Sequence, residues 1–145
     1  MTLLDVNVLL YAYNADASEH VAARTWLGGL FASREWVGLT WLTLWAFLRI
    51  STNPRIFPQP LSVREAFEIM RGWLALPSVV VIQPGARHAS LLERLAVENK
   101  AGGPLMMDAA LAAMALEHGA VLASTDRDFR RFPGIQWVNP IEHST

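Results

Sequence analysis

Thr2-Leu3-Leu4-Asp5-Val6-Asn7-Val8-Leu9-Leu10-Tyr11 carries one charged residue, Asp5, in an otherwise largely apolar run. Leu3 and Leu4 read as a short buried strand, and Val6 to Tyr13 as the opening of a helix. A lone charge in so apolar a segment is costly unless something compensates it. In an open α/β sheet, ligands bind beyond the carboxyl ends of the strands. Asp5 is therefore either a helix cap or the first carboxylate of a site.

Downstream, the same alternation repeats. Glu19 to Phe31 reads as a helix, Trp36 to Leu39 as a strand and Thr40 to Thr52 as a third helix. Pro54, Pro58 and Pro60 mark a loop, and Ser62-Val63-Arg64-Glu65 is a capping box opening a helix that Pro77 ends. Val79-Val80-Val81-Ile82 is β-branched and uniformly apolar, which predicts a strand covered on both faces. Helices over Ala86 to Asn99 and Leu105 to His118 follow, the second stopped by Gly119. Ala120 to Ala123 is a strand, Asp126 to Phe132 a helical turn, and Trp137-Val138 an edge strand. Strands alternating with helices predict a parallel α/β sheet covered on both sides, in one domain over 1–145.

Composition narrows the class. Hydrophobic residues make up 52% of 145, enough for a sizeable core. Mean hydropathy is +0.25, rich for a soluble monomer, which points to apolar surface meeting a partner. The net charge of -1 demands no nucleic acid and leaves room for a local basic patch. With no cysteine there is neither a disulfide framework nor a thiolate metal site, in keeping with a reducing cytoplasm. The longest apolar run, Val37 to Leu48, stops at Arg49, short of the ~20 residues of a membrane span. No signal peptide is read at the N-terminus.

Two further acids resemble Asp5 in placement. Asp126 follows the strand Ala120 to Ala123, and Asp108 lies near the start of the helix Leu105 to His118. Each could simply cap or favour its helix. Asp108, however, is flanked by Met106, Met107, Ala109 and Ala110, which argues against a solvated face. Two strand-end carboxylates can converge at one edge of a parallel sheet, and a helix approaching that edge can add a third. Clustered carboxylates repel, so one takes a proton or a cation binds. Hard oxygen ligands suit Mg²⁺ or Mn²⁺, and a metal so held can serve phosphodiester cleavage.

Four segments, in this order and spacing, resemble the PIN-domain family: Leu3-Leu4-Asp5-Val6-Asn7-Val8-Leu9-Leu10; Phe47 to Arg55; Asp108-Ala109-Ala110-Leu111-Ala112; and Ser124-Thr125-Asp126-Arg127-Asp128-Phe129. With the ending Phe132 to Pro140, the chain is most similar to the VapC-type toxins of toxin–antitoxin pairs. The resemblance implies a three-layer α/β/α domain with a parallel central sheet, metal-dependent RNA cleavage, a homodimer and a cognate VapB-type antitoxin. By position, Asp5, Asp108 and Asp126 match acidic metal-site residues. Asn7 and Thr125 match polar neighbours, and Asp128 an accessory carboxylate. In one place the chain departs from the pattern. The family's Glu-x-x-Arg segment begins here with Ala46, three residues before Arg49. Asp128 substitutes for that acid, or one ion is held weakly, or only binding to antitoxin or RNA remains.

The expected function is thus a Mg²⁺- or Mn²⁺-dependent endoribonuclease acting as a toxin, with a catalytically degenerate binding domain as the alternative. A phosphatase with a strand-end Asp nucleophile fits less well, because Asn7 stands where a second Asp is wanted. Arg49, Arg55 and Arg127 are candidate contacts to RNA phosphates or to an antitoxin, since a guanidinium fork suits either. Trp41 and Trp45, four apart on one helix face, are expected first in the core, next at an interface, and last under an RNA base. His20, His88, His118 and His143 show no metal-ligand spacing.

Overall fold

A computed structural model describes residues 1–142. His143 and the end of the expected domain lie outside the described residues. Strand β1 (Thr2–Leu4) is followed by α1 (Val6–Ala12), α2 (His20–Ala32), β2 (Val37–Leu39), α3 (Trp41–Ser51), α4 (Val63–Leu74) and β3 (Val79–Val81). Then come α5 (His88–Glu98), α6 (Met106–His118), β4 (Val121–Ala123), a 3₁₀ turn (Arg127–Arg131) and β5 (Gln136–Val138). The five strands form one parallel sheet in the order β3-β2-β1-β4-β5. The architecture is the expected α/β/α sandwich.

Side chains on a strand alternate between its faces, and β1 shows why two cores form. Leu3 packs with Leu122, Leu95 and Phe129, whereas Leu4 packs with Leu9, Leu44, Phe47 and Trp73. Both leucines are fully buried. Helix α6 is apolar nearly all round: Ala109, Leu111, Ala112, Ala113, Met114 and Ala115 are all buried. It stops at Gly119, whose φ of 62° is left-handed and is open to glycine at little cost. The Ser62 capping box of α4 forms in full, with both reciprocal hydrogen bonds present.

The strand order places a topological switch point beside β1. From β1 the chain runs outward through β2 to β3, then returns across β1 to β4 and β5 on the other side. The carboxyl ends of β1 and β4 flank that reversal, where side chains from two strands can converge on a ligand.

Two expectations fail. The strand over Val79–Val81 is not covered on both faces: it is an edge strand, and Val80 is 39% exposed. Its β-branched run reports strand propensity, while the strand order decides position. Trp41 and Trp45 are not core residues either; the inward face of α3 is Thr43, Leu44, Phe47 and Ser51. That face places the tryptophan pair, one position off the Leu44–Phe47 stripe, on the surface.

Candidate active site

Asp5 follows the last residue of β1 and its backbone N–H still donates to the Ala123 carbonyl, 3.0 Å away, so it sits against the end of β4. Its side chain takes both roles the sequence left open. Oδ1 accepts the Val6 N–H at 2.7 Å and caps α1. Oδ2 accepts the Ser124 hydroxyl at 2.7 Å and the Asn7 amide at 3.2 Å. Since a carboxylate offers about four lone-pair directions, roughly one remains free.

Ser124 knots the two strand ends together. Fully buried, it donates to Asp5 and accepts from Asn7 Nδ2 at 3.0 Å and from the Asp126 N–H at 3.0 Å. Asn7 Oδ1 in turn accepts the Thr125 N–H at 3.1 Å. Thr125 therefore joins through its backbone. Ser124 was not singled out by the sequence reading. The signal was a serine two residues before an aspartate at a strand end, a spacing at which hydroxyls commonly bond the backbone.

Asp126 caps the 3₁₀ turn, accepting the Asp128 N–H at 2.8 Å, and this local turn leaves Asp128 exposed but beside Asp126. Among the described residues, Asp108, Asp126 and Asp128 each bring a carboxylate oxygen to within 4.8 Å of the others. The tightest acidic group thus contains Asp128, expected as an accessory, and leaves Asp5 just outside, tied to Asp126 through Ser124. Asp108 reaches it from the first turn of α6, although Met106 and Met107 beside it are exposed. Burial, followed by repulsion from Asp126, Asp5 and Asp128, pushes the Asp108 carboxyl up to about 6, with Arg131 opposing. Burial chiefly raises the Asp5 carboxyl too, against the hydrogen bonds it accepts.

A cleft of about 230 Å³ opens beside these acids, lined by Asp5, Leu42, Thr43, Ala46, Arg49 and Asp108. Thr43 pins α3 to the end of β1 by donating to the Leu4 carbonyl at 3.2 Å. Ala46 therefore faces the cleft, in which its methyl group leaves space. Arg49 reaches the same cleft. Arg55 stands exposed in the turn after α3, its N–H bonded to Asn53. Arg127 is exposed and ion-paired with Glu142. Of the three candidate arginines, only Arg49 lines the cleft with the acids.

Fold and site together define a class: a parallel α/β domain whose acids converge at the switch point of the sheet. The sequence pattern of the PIN domain matches residues 2–135, and the chain belongs to the PIN-domain family. Ribonuclease VapC37 of Mycobacterium tuberculosis is 41% identical over 140 residues, which span 97% of each chain. Ribonuclease VapC31 of the same species is 40% identical over 140 residues, 97% of this chain and 99% of its own. Among solved structures, M. tuberculosis VapC20, a Sarcin-Ricin loop cleaving toxin, superposes with a TM-score of 0.68 at 16% identity. The match covers 94% of this chain and 99% of that one.

Proposed function

We propose that this chain is a divalent-metal-dependent endoribonuclease, the toxin of a toxin–antitoxin pair, restrained by a VapB-type antitoxin. The observation that carries the reading is the gathering of Asp108, Asp126 and Asp128 within 4.8 Å, next to Asp5. Like charges so close are tolerated only with protons or a cation among them. Relatives named ribonucleases, matched end to end, support RNA as the substrate class. A neighbour described as VapBC2 of Rickettsia felis bound to promoter DNA supports a partner of the antitoxin kind.

The donor set suits Mg²⁺ or Mn²⁺: carboxylate oxygens, with no sulfur or imidazole among them. Asp108, Asp126 and Asp128 would hold the ion, with Asp5 adding its remaining lone pair. A divalent cation bound there supplies activation of water and charge neutralisation at a phosphodiester. The chain's own residues do the positioning. Asn7 and Ser124 hold Asp5 in one orientation, and Asp126 sets the turn that carries Asp128. Arg49 offers a guanidinium to the backbone of the RNA.

The test is cleavage of RNA by the purified protein with Mn²⁺, against Asp5→Asn and Asp108→Asn. Loss of about 100-fold or more is expected in each, since a catalytic metal contributes several kcal/mol. Activity unchanged in both variants removes the proposed site. A second reading, binding without cleavage, draws on Ala46, which leaves the cleft without an acid from α3. Tight antitoxin binding with no RNA cut under any divalent cation would favour it.

A further inference from the structure

Trp41, Trp45 and Arg49 recur at every fourth position of α3 and share one face of it. Trp41 is 37% exposed and Trp45 62%, and Arg49 is exposed as well. Two neighbouring tryptophans showing this much surface mark a place where something docks. Their ring centroids lie 6.3 Å apart with planes inclined at 34°, a tilted pair and not a closed parallel stack. Arg49 forms no ion pair among the described residues. It lines the cleft holding Asp5 and Asp108, and Leu42 and Ala46, neighbours of the tryptophans on α3, line it too. The aromatic stripe therefore leads along the helix into the candidate active site.

Flat rings stepping toward the Arg49 guanidinium and then toward a phosphodiester-cleaving site suit a single-stranded nucleic acid. Every base has a face that stacks on an aromatic ring, and a guanidinium takes the backbone phosphate. We propose that Trp41 and Trp45 form a stacking platform that seats unpaired bases of the RNA beside the scissile phosphate, with Arg49 holding the backbone between them. The proposal rests on the ribonuclease reading. It makes the substrate single-stranded or looped at the cut, because bases inside a duplex cannot reach the rings.

The experiment measures binding of a short single-stranded RNA carrying a fluorescent adenine analogue, in EDTA so that nothing is cut. Trp45→Ala should weaken binding by about tenfold or more, and Trp41→Ala/Trp45→Ala further. Trp45→Phe should restore most of the affinity, and duplex RNA of the same sequence should bind weakly to all. With Mn²⁺, the alanine variants should raise KM while kcat changes little. Unchanged RNA affinity in the double variant overturns the platform. If that variant also shifts from dimer to monomer in sedimentation, the tryptophans belong to an interface between copies. A wild-type protein that binds single strands through these tryptophans but never cuts them would overturn the ribonuclease reading and leave the platform standing.

Discussion

Ser124 Oγ donates to Asp5 and accepts from Asn7 and from the Asp126 N–H. Its donor and acceptor capacity is filled, in a site closed to solvent. Ser124→Ala strands two donors and removes one from Asp5. The expected cost is about 1–3 kcal/mol, read as a lower melting temperature, together with weaker Mn²⁺ binding. A loss below about 0.5 kcal/mol would mean that the network does not depend on the hydroxyl. Asp108 shows the opposite balance. Its carboxyl is pushed up to about 6 by burial and by three neighbouring acids, so its charge destabilises the metal-free fold. Asp108→Asn should therefore raise the melting temperature in EDTA while abolishing the rise expected from Mn²⁺ in the wild type. A variant that melts lower in EDTA would contradict this account.

The helix ends of the fold were legible because capping is local chemistry. The four residues Ser62 to Glu65 contain the whole capping box, and Ser62→Ala should cost about 1 kcal/mol in urea titration. Gly119→Ala should cost roughly 1–2 kcal/mol, since φ of 62° disfavours any Cβ while no atom lies within 4 Å of it. A neutral effect would show that α6 can end elsewhere. Helix faces were less legible. Trp41 and Trp45 are as apolar as any core residue, yet the Leu44–Phe47 stripe turns toward the sheet and leaves them outside. Likewise Val79 to Val81 carries a buried-strand composition on an edge strand. Propensity states what an element is and not what packs against it.

For the molecule as a whole, the acids couple stability to pH and to metal. The Asp108 carboxyl rises from an ordinary 3.8 to about 6, and that of Asp5 rises as well. Between those values the folded chain holds more protons than the unfolded one. The contribution of these two acids to the stability of the metal-free protein therefore falls as pH rises through that window and levels off above it. The proposed divalent cation would bind the ionised folded form, so the stabilisation by Mn²⁺ should grow over the same range. Melts between about pH 5 and pH 7.5, in EDTA and in Mn²⁺, check both slopes; a metal-free stability that climbs with pH over that range, relative to Asp108→Asn, would refute the cluster. The amino-acid sequence by itself determined the alternation of strands and helices, the helix caps, and the acids that stand as isolated charges in apolar segments. Periodicity, capping and the cost of a buried charge all act over a few residues. Only the tertiary structure decided that Asp128 joins Asp108 and Asp126 while Asp5 is drawn back. It alone placed Val80 at an edge, paired Arg127 with Glu142, and turned the tryptophans outward. Those outcomes depend on strand order and on contacts such as Asn7 with Ser124, 117 positions apart, which no local pattern encodes.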